Sequence, residues 1–135
     1  MNINDYDNET AKDFVKRNFQ NLLDNSYIIE WLEERNVKIY VLYENSVIKC
    51  FVLLTKLSKD PEKKHIKPVY LNYIFTIPEY RRNGLALYLL NELKSKEEMT
   101  VFCTNDIEKN LVIKANFNFH KIDPFLKSFP IYRFP

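Results

Sequence analysis

Ile77-Pro78-Glu79-Tyr80-Arg81-Arg82-Asn83-Gly84-Leu85-Ala86 holds the only glycine of a 135-residue chain. A sequence this poor in glycine keeps it where a side chain is forbidden, so Gly84 marks a backbone constraint. On its N-terminal side, Val69-Tyr70-Leu71-Asn72-Tyr73-Ile74-Phe75-Thr76-Ile77 is rich in β-branched and aromatic residues and reads as a strand. On its C-terminal side, Leu85, Leu89 and Leu93 recur at helical spacing, with Ala86 and Leu90 widening the stripe, which predicts a helix. A strand that turns through a glycine into a helix bares backbone N–H groups at the helix start, a site for an anion such as a phosphate. Neither Gly-x-Gly-x-x-Gly nor Gly-x-x-x-x-Gly-Lys occurs, which excludes the dinucleotide fingerprint and the P-loop.

Upstream of this stretch, Asp7 or Asn8 can cap a helix from about Glu9 to Leu23, with Phe14, Phe19, Leu22 and Leu23 on one side. A second helix follows Ser26. Val37 to Tyr43 and Val47 to Leu57 read as two strands joined by the turn Glu44-Asn45-Ser46. Ser58 to Pro68 is charged and contains prolines, which predicts a solvated loop. Downstream, Met99 to Thr104 is a strand, Asp106 to Ala115 a helix, and Phe117 to Asp123 and Ile131 to Phe134 two terminal strands. The order mixes an antiparallel first half with strand-helix-strand crossovers, as in a mixed α/β (α+β) sandwich. No internal repeat or linker divides the chain, so a single domain over 1–135 is expected.

Composition narrows the class. The chain is 46% hydrophobic and 15% aromatic, too much for a disordered segment. A net charge of +2 gives little reason to expect a nucleic-acid surface. Arg81, Arg82, Lys94 and Lys96 could form one, but Glu79, Glu92, Glu97 and Glu98 offset them. No secretory leader and no membrane-length apolar run are visible, and Cys50 and Cys103 lie inside apolar runs as free thiols, so a reducing, cytoplasmic setting is expected.

Arg81-x-x-Gly84-x-Ala86, behind an apolar strand and a proline and ahead of Leu89-Leu90, resembles the acetyl-coenzyme A motif (Arg/Gln-x-x-Gly-x-Gly/Ala) of the GCN5-related N-acetyltransferase superfamily. The competing reading is an ordinary strand-to-helix turn with exposed arginines. The resemblance spans roughly residues 9–134, but only 69–94 is specific. It implies a central mixed sheet flanked by helices, with Met1 to Asn4 as a short, polar first strand. It implies acetyl-CoA as co-substrate and no metal. The cofactor's diphosphate would sit on the amides of Arg82, Asn83, Gly84, Leu85 and Ala86, with charge from Arg81 or Arg82. Its pantetheine arm would pair with the backbone of Phe75, Thr76 and Ile77.

The family's second signature is an asparagine, an alanine or serine three residues on, a tyrosine four further, and then Gly-Phe. Here Gly-Phe aligns with Asn118-Phe119, which puts Lys114 at the tyrosine that protonates the departing thiolate. The asparagine is then Asn105 or Asn110. Many relatives carry a catalytic glutamate on the central strand. Here that face is expected to show Tyr70, Asn72 and Thr76, so Tyr70 or Asn72 would order a proton-accepting water. His65 and His120 read as surface or satisfied histidines, and Cys103 as a buried thiol.

The resemblance thus implies direct transfer of acetyl to a primary amine of a small molecule or protein in a ternary complex, since no activated nucleophile is apparent. Trp31, Phe125, Phe129 and Tyr132 could line the acceptor's pocket, and exposed strand ends could pair two chains as a homodimer. The alternative is a catalytically inactive coenzyme A-binding module.

Overall fold

The turn Asn45-Ser46 sets the frame of the sheet. Both residues have positive φ, 52° and 64°, the backbone of a two-residue turn whose twist matches the strands it joins. It links β2 (Val37–Glu44) to β3 (Val47–Lys56), with Glu44 opposite Val47. The structure is a computed structural model that describes residues 1–123 and 129–135. The remaining strands are β1 (Asn2–Asp7), β4 (Pro68–Thr76), β5 (Glu98–Phe102), β6 (Asn118–Ile122) and β7 (Pro130–Phe134). They form one sheet in the order β1-β2-β3-β4-β5-β7-β6, in which only β4 and β5 run parallel.

Alternation along β2 and β3 supplies two apolar faces. Ile39, Val41, Phe51 and Leu53 pack under α1 (Asn8–Asn18) and α2 (Ser26–Glu33), together with Val15, Ile28 and Trp31. Tyr40, Leu42, Cys50, Val52 and Leu54 pack under α3 (Leu85–Leu93) and α4 (Asp106–Lys114), against Leu89, Leu90, Leu93 and Val112. Each fully buried leucine contributes about 1.5–3 kcal/mol over its exposed state. Trp31 is polar only at its indole N–H, which donates to the Leu54 carbonyl at 2.9 Å. No helix among the described residues is long and apolar enough to cross a membrane.

The N-terminus departs from expectation. The first strand runs Asn2–Asp7, not Met1 to Asn4, because its backbone pairs with β2 from Asn2↔Tyr43 to Asp7↔Lys38. Only Ile3 and Tyr6 turn inward along it, too little apolar patterning to announce a strand locally. The first helix stops at Asn18 instead of Leu23. Phe19 leaves helical geometry (φ −130°) to bury its ring 4.3 Å from that of Phe51, and a 3-10 turn, Gln20–Leu22, follows.

Candidate active site

The ladder between β4 and β5 has three rungs, Pro68↔Glu98, Val69↔Met99 and Tyr70↔Thr100. Beyond Tyr70, β4 continues to Thr76 against β3 alone, so the two parallel strands part like a wedge. A cleft of about 690 Å³ opens there, walled by Tyr70, Asn72, Ile74, Phe102, Asn105 and Val112 among others. The backbone on its β4 side is unevenly available. Ile77 donates its N–H to the Lys49 carbonyl at 2.9 Å, and strand alternation then turns the backbone of Phe75 toward β3 as well, and those of Ile74 and Thr76 away from it, with Ile74 lining the cleft. Of the three residues expected to pair with pantetheine, none lines the cleft: the backbone of Thr76 points away from β3, whereas those of Phe75 and Ile77 face β3. The Thr76 carbonyl already accepts from Arg81 Nε at 2.9 Å, and the Arg81 guanidinium lies 5.1 Å from the Phe75 ring centre.

Strand β4 leads on to the glycine turn. Pro78–Tyr80 forms a single 3-10 turn, Arg82 has φ 69°, and Gly84 has φ 72° immediately before α3. This left-handed backbone, not crowding, accounts for the glycine, since a Cβ there would meet no protein atom within 4 Å. No side chain caps α3 among the described residues, so the N–H groups of its first turn lack intrahelical and side-chain partners. Arg81, Arg82, Asn83 and Gly84 are exposed, and Leu85 and Ala86 are half-buried. An uncapped helix start, space beside a left-handed glycine and two arginines make an anion cradle.

The register of β4 breaks at Asn72. Leu53 pairs with Tyr73 and Leu54 with Leu71, leaving Asn72 as a β-bulge. Tyr70 and Thr76 therefore do not share a face as expected. Tyr70 lies ring to ring with Phe102 at 5.4 Å, while the Thr76 hydroxyl donates to Cys50 Sγ on the α3 side. Asn72 Oδ1 accepts from the Thr55 hydroxyl at 2.8 Å, which fixes the bulged side chain beside the cleft.

Helix α4 corrects the second signature by two residues. The left-handed residue after the helix is Asn116 (φ 62°), followed by buried Phe117, while Asn118 lies in extended β6. Asn116-Phe117, directly after the helix, thus has the left-handed turn and buried phenylalanine that the resemblance asks of its Gly-Phe pair, and Asn118-Phe119 does not. The tyrosine position moves from Lys114 to Val112, which is buried and lines the cleft. Lys114 is exposed at the end of α4, outside the cleft lining. Asn105 caps α4, accepting from the Glu108 N–H at 2.9 Å, and it lines the cleft. Asn110 is exposed elsewhere on the helix and does not. Glu108 is engaged too, accepting from the Thr104 hydroxyl at 2.6 Å and from Asn105 Nδ2 at 2.8 Å.

Behind the cleft lies a second cavity of about 230 Å³, on the side of the sheet that α1 and α2 leave uncovered. Its roof is the charged loop expected to be merely solvated, and a buried clasp explains why that loop is anchored. Asp60 accepts from the N–H groups of Glu62, Lys64 and His65 and from the Arg133 guanidinium of β7. Burial works to raise the Asp60 carboxyl, but these donors outweigh it and hold it well below the usual carboxylate range. Arg133 also donates to His65 Nδ1 at 3.0 Å, which leaves His65 Nε2 to carry its proton toward the Pro135 carbonyl at 3.1 Å. His65 is thus a satisfied, buried histidine. His120, in contrast, reaches into the cavity with Nε2 3.2 Å from Glu62 Oε1, and it holds the Glu62 carboxyl below its usual value.

The other candidates divide cleanly. Burial pushes the thiols of Cys50 and Cys103 up to about 11, so both are inert at neutral pH. Trp31 and Tyr132 belong to the core, and Phe129 lines the cleft. Phe125 lies outside the described residues.

No family model matches the sequence, and no curated protein matches it; the likeness that exists is structural. Tetrahymena GCN5 superposes over all of this chain and 97% of its own, with TM-score 0.65 and 12% identity. Arabidopsis thaliana NAA60 in complex with a bisubstrate analogue matches 98% of this chain and 96% of its own, with TM-score 0.61 and 15% identity. The aminoglycoside acetyltransferase AAC(6')-Iy, bound to a coenzyme A bisubstrate analogue, matches 94% and 98%, with TM-score 0.63 and 15% identity. The fold is that of the GCN5-related N-acetyltransferases, as the residues around Gly84 led us to expect.

Proposed function

We propose that this protein transfers an acetyl group from acetyl-CoA to a primary amine, directly and within a ternary complex. The observation that carries this reading is the parting of β4 from β5 after Tyr70, which opens a strand edge leading straight to an uncapped helix start at Gly84. The residues fit the co-substrate. The Thr76 and Ile74 backbone offers hydrogen bonds to an extended amide-bearing arm, and the amides of Arg82 to Ala86 offer donors to a diphosphate, with Arg81 and Arg82 adding charge. When bound, the co-substrate supplies an acyl thioester. The chain's own contribution is to hold the two reactants together, which removes much of the entropic barrier.

Proton handling falls to groups other than Lys114. The leaving sulfur needs a donor, and Val112 cannot be one. Tyr73 lines the cleft, and burial raises its phenol above the ordinary value, so it stays protonated and able to donate. Tyr70 and the bulged Asn72 flank the vertex of the wedge, where they can order a water. A second reading, a module that binds coenzyme A without turnover, draws on Val112 and on the engagement of Glu108 by Thr104 and Asn105.

Thermal unfolding with coenzyme A tests binding. At 100 times Kd the ligand adds about 2.7 kcal/mol, a rise in midpoint on the order of 8 °C for a domain of this size. Absence of any shift overturns the proposal. Appearance of free thiol from acetyl-CoA and an amine then separates the enzyme from the inert module.

A further inference from the structure

Asn72 lines the cleft two residues past the last rung of the β4–β5 ladder, at the vertex of the wedge. We propose that Asn72 Nδ2 donates a hydrogen bond to the thioester carbonyl oxygen of the co-substrate, and that Thr55 holds the amide in that aim. Asn72 is then a catalytic residue and Thr55 a positioning residue. The inference rests on the acetyl-transfer reading above and adds to it the group that stabilises charge on the reacting carbonyl.

The first support is a polar residue at the end of an apolar run. Cys50, Phe51, Val52, Leu53 and Leu54 of β3 are fully buried, and Thr55, next in line, is buried as well. A hydroxyl taken out of water needs a partner. Thr55 finds it on the neighbouring strand, where its hydroxyl donates to Asn72 Oδ1 at 2.8 Å. The bond joins no elements that the β3–β4 ladder does not already join. What it fixes is the side chain of Asn72.

The second support is the bulge. Leu53 pairs with Tyr73 and Leu54 with Leu71, so Asn72 is the extra residue that no β3 residue opposes. Bulges beside active sites re-aim a side chain, and Asn72 stands exposed at the cleft. A primary amide carries one acceptor oxygen and two N–H donors. Thr55 takes the oxygen, and Nδ2 makes no hydrogen bond among the described residues, so its donors remain. Buried Leu71 and Val101 and the packed rings of Tyr70 and Phe102 line the same corner. Once the co-substrate displaces the water there, a hydrogen bond to a charged oxygen counts for more than it does in solvent.

The chemistry balances without a proton from Asn72. As the neutral amine nitrogen bonds to the carbonyl carbon, the C=O π pair moves onto oxygen, where Nδ2 meets it. The pair returns as the C–S bond breaks. One nitrogen proton leaves to the water held by Tyr70, and the departing sulfur takes one from the Tyr73 phenol. The products are the amide and free thiol.

Infrared difference spectra of bound acetyl-CoA with a carbon-13 label in its carbonyl read this bond directly, with no amine present. The carbonyl band should lie at lower frequency in the wild type than in Asn72→Leu, which keeps the bulk and loses the donor. Thr55→Val should move the band the same way by less, and Thr55→Ser should restore it. Calorimetry should show coenzyme A bound equally by the wild type and all three variants. On any primary amine that the wild type acetylates, Asn72→Leu should lower kcat about 10²–10³-fold with little change in KM for acetyl-CoA. If Asn72→Leu binds acetyl-CoA and leaves the band or kcat where the wild type has it, the inference falls while the cofactor reading stands. A band unmoved in Thr55→Val removes Thr55 from the positioning role. If the wild type fails to bind coenzyme A, the underlying reading falls with it.

Discussion

Two polar corners of this molecule are built from the same materials and settled in opposite ways. At the Asp60 clasp, a carboxylate, a guanidinium, an imidazole and three backbone N–H groups bond to one another, away from solvent. At the Gly84 turn, arginines and the N–H groups of a helix start lie exposed with no side-chain cap. The first corner spends its polar groups on holding a loop to the sheet. The second ties Arg81 Nε to the Thr76 carbonyl but leaves the first helical N–H groups without a side-chain cap. A closed network marks architecture and an open one marks a ligand.

The largest expected effect breaks the closed corner. Arg133→Ala leaves the Asp60 carboxylate buried without its cation and should cost about 3–5 kcal/mol in chemical denaturation. Acid probes the same corner without a mutation. Because the Asp60 carboxyl is held below its ordinary value in the fold, the stability it contributes is present above the ordinary carboxylate range and is lost as pH falls through and below it. The slope of unfolding free energy against pH below about 4 should therefore flatten in Asp60→Asn.

The open corner should respond differently. Gly84→Val forces a β-branched residue into left-handed backbone at a cost of about 1–2 kcal/mol, a modest stability loss, while coenzyme A binding measured by calorimetry disappears. Equal loss of stability and binding at both corners would erase the distinction between them. Asn105→Ala removes the α4 cap and should cost about 1 kcal/mol, with a further drop in turnover because the residue borders the cleft. Lys114→Ala is the smallest. An exposed residue at a helix end should change stability by less than about 0.5 kcal/mol and leave thiol release untouched, and any large effect would restore it to the site.

Much of this was legible from local patterns. The run from Val69 to Leu93 announces strand, turn and helix because its periodicity is strong and its glycine is alone. The β2–β3 hairpin is equally plain, since Asn45-Ser46 sits between two apolar strands. Other features were not. Strand β1 has two inward residues and exists because β2 offers it an edge. Helix α4 ends where its pattern says, but Asn116-Phe117 and Asn118-Phe119 are the same pair of residues two apart, and only the backbone says which asparagine turns left-handed. The bulges at Asn72 and His120 leave no local signature either, yet they decide which face Tyr70 takes and where the imidazole points.

Sequence alone determined the α/β alternation, the glycine turn into a helix at Gly84 and the absence of a carboxylate from the central strand, since each is written within a few neighbouring residues. Tertiary structure decided what depends on distant partners: the wedge between β4 and β5, the burial of Asp60 against Arg133, and the meeting of Glu62 with His120 across a cavity. Those contacts follow from strand register and from the faces that bulges exchange, and register is set by the packing of the whole sheet.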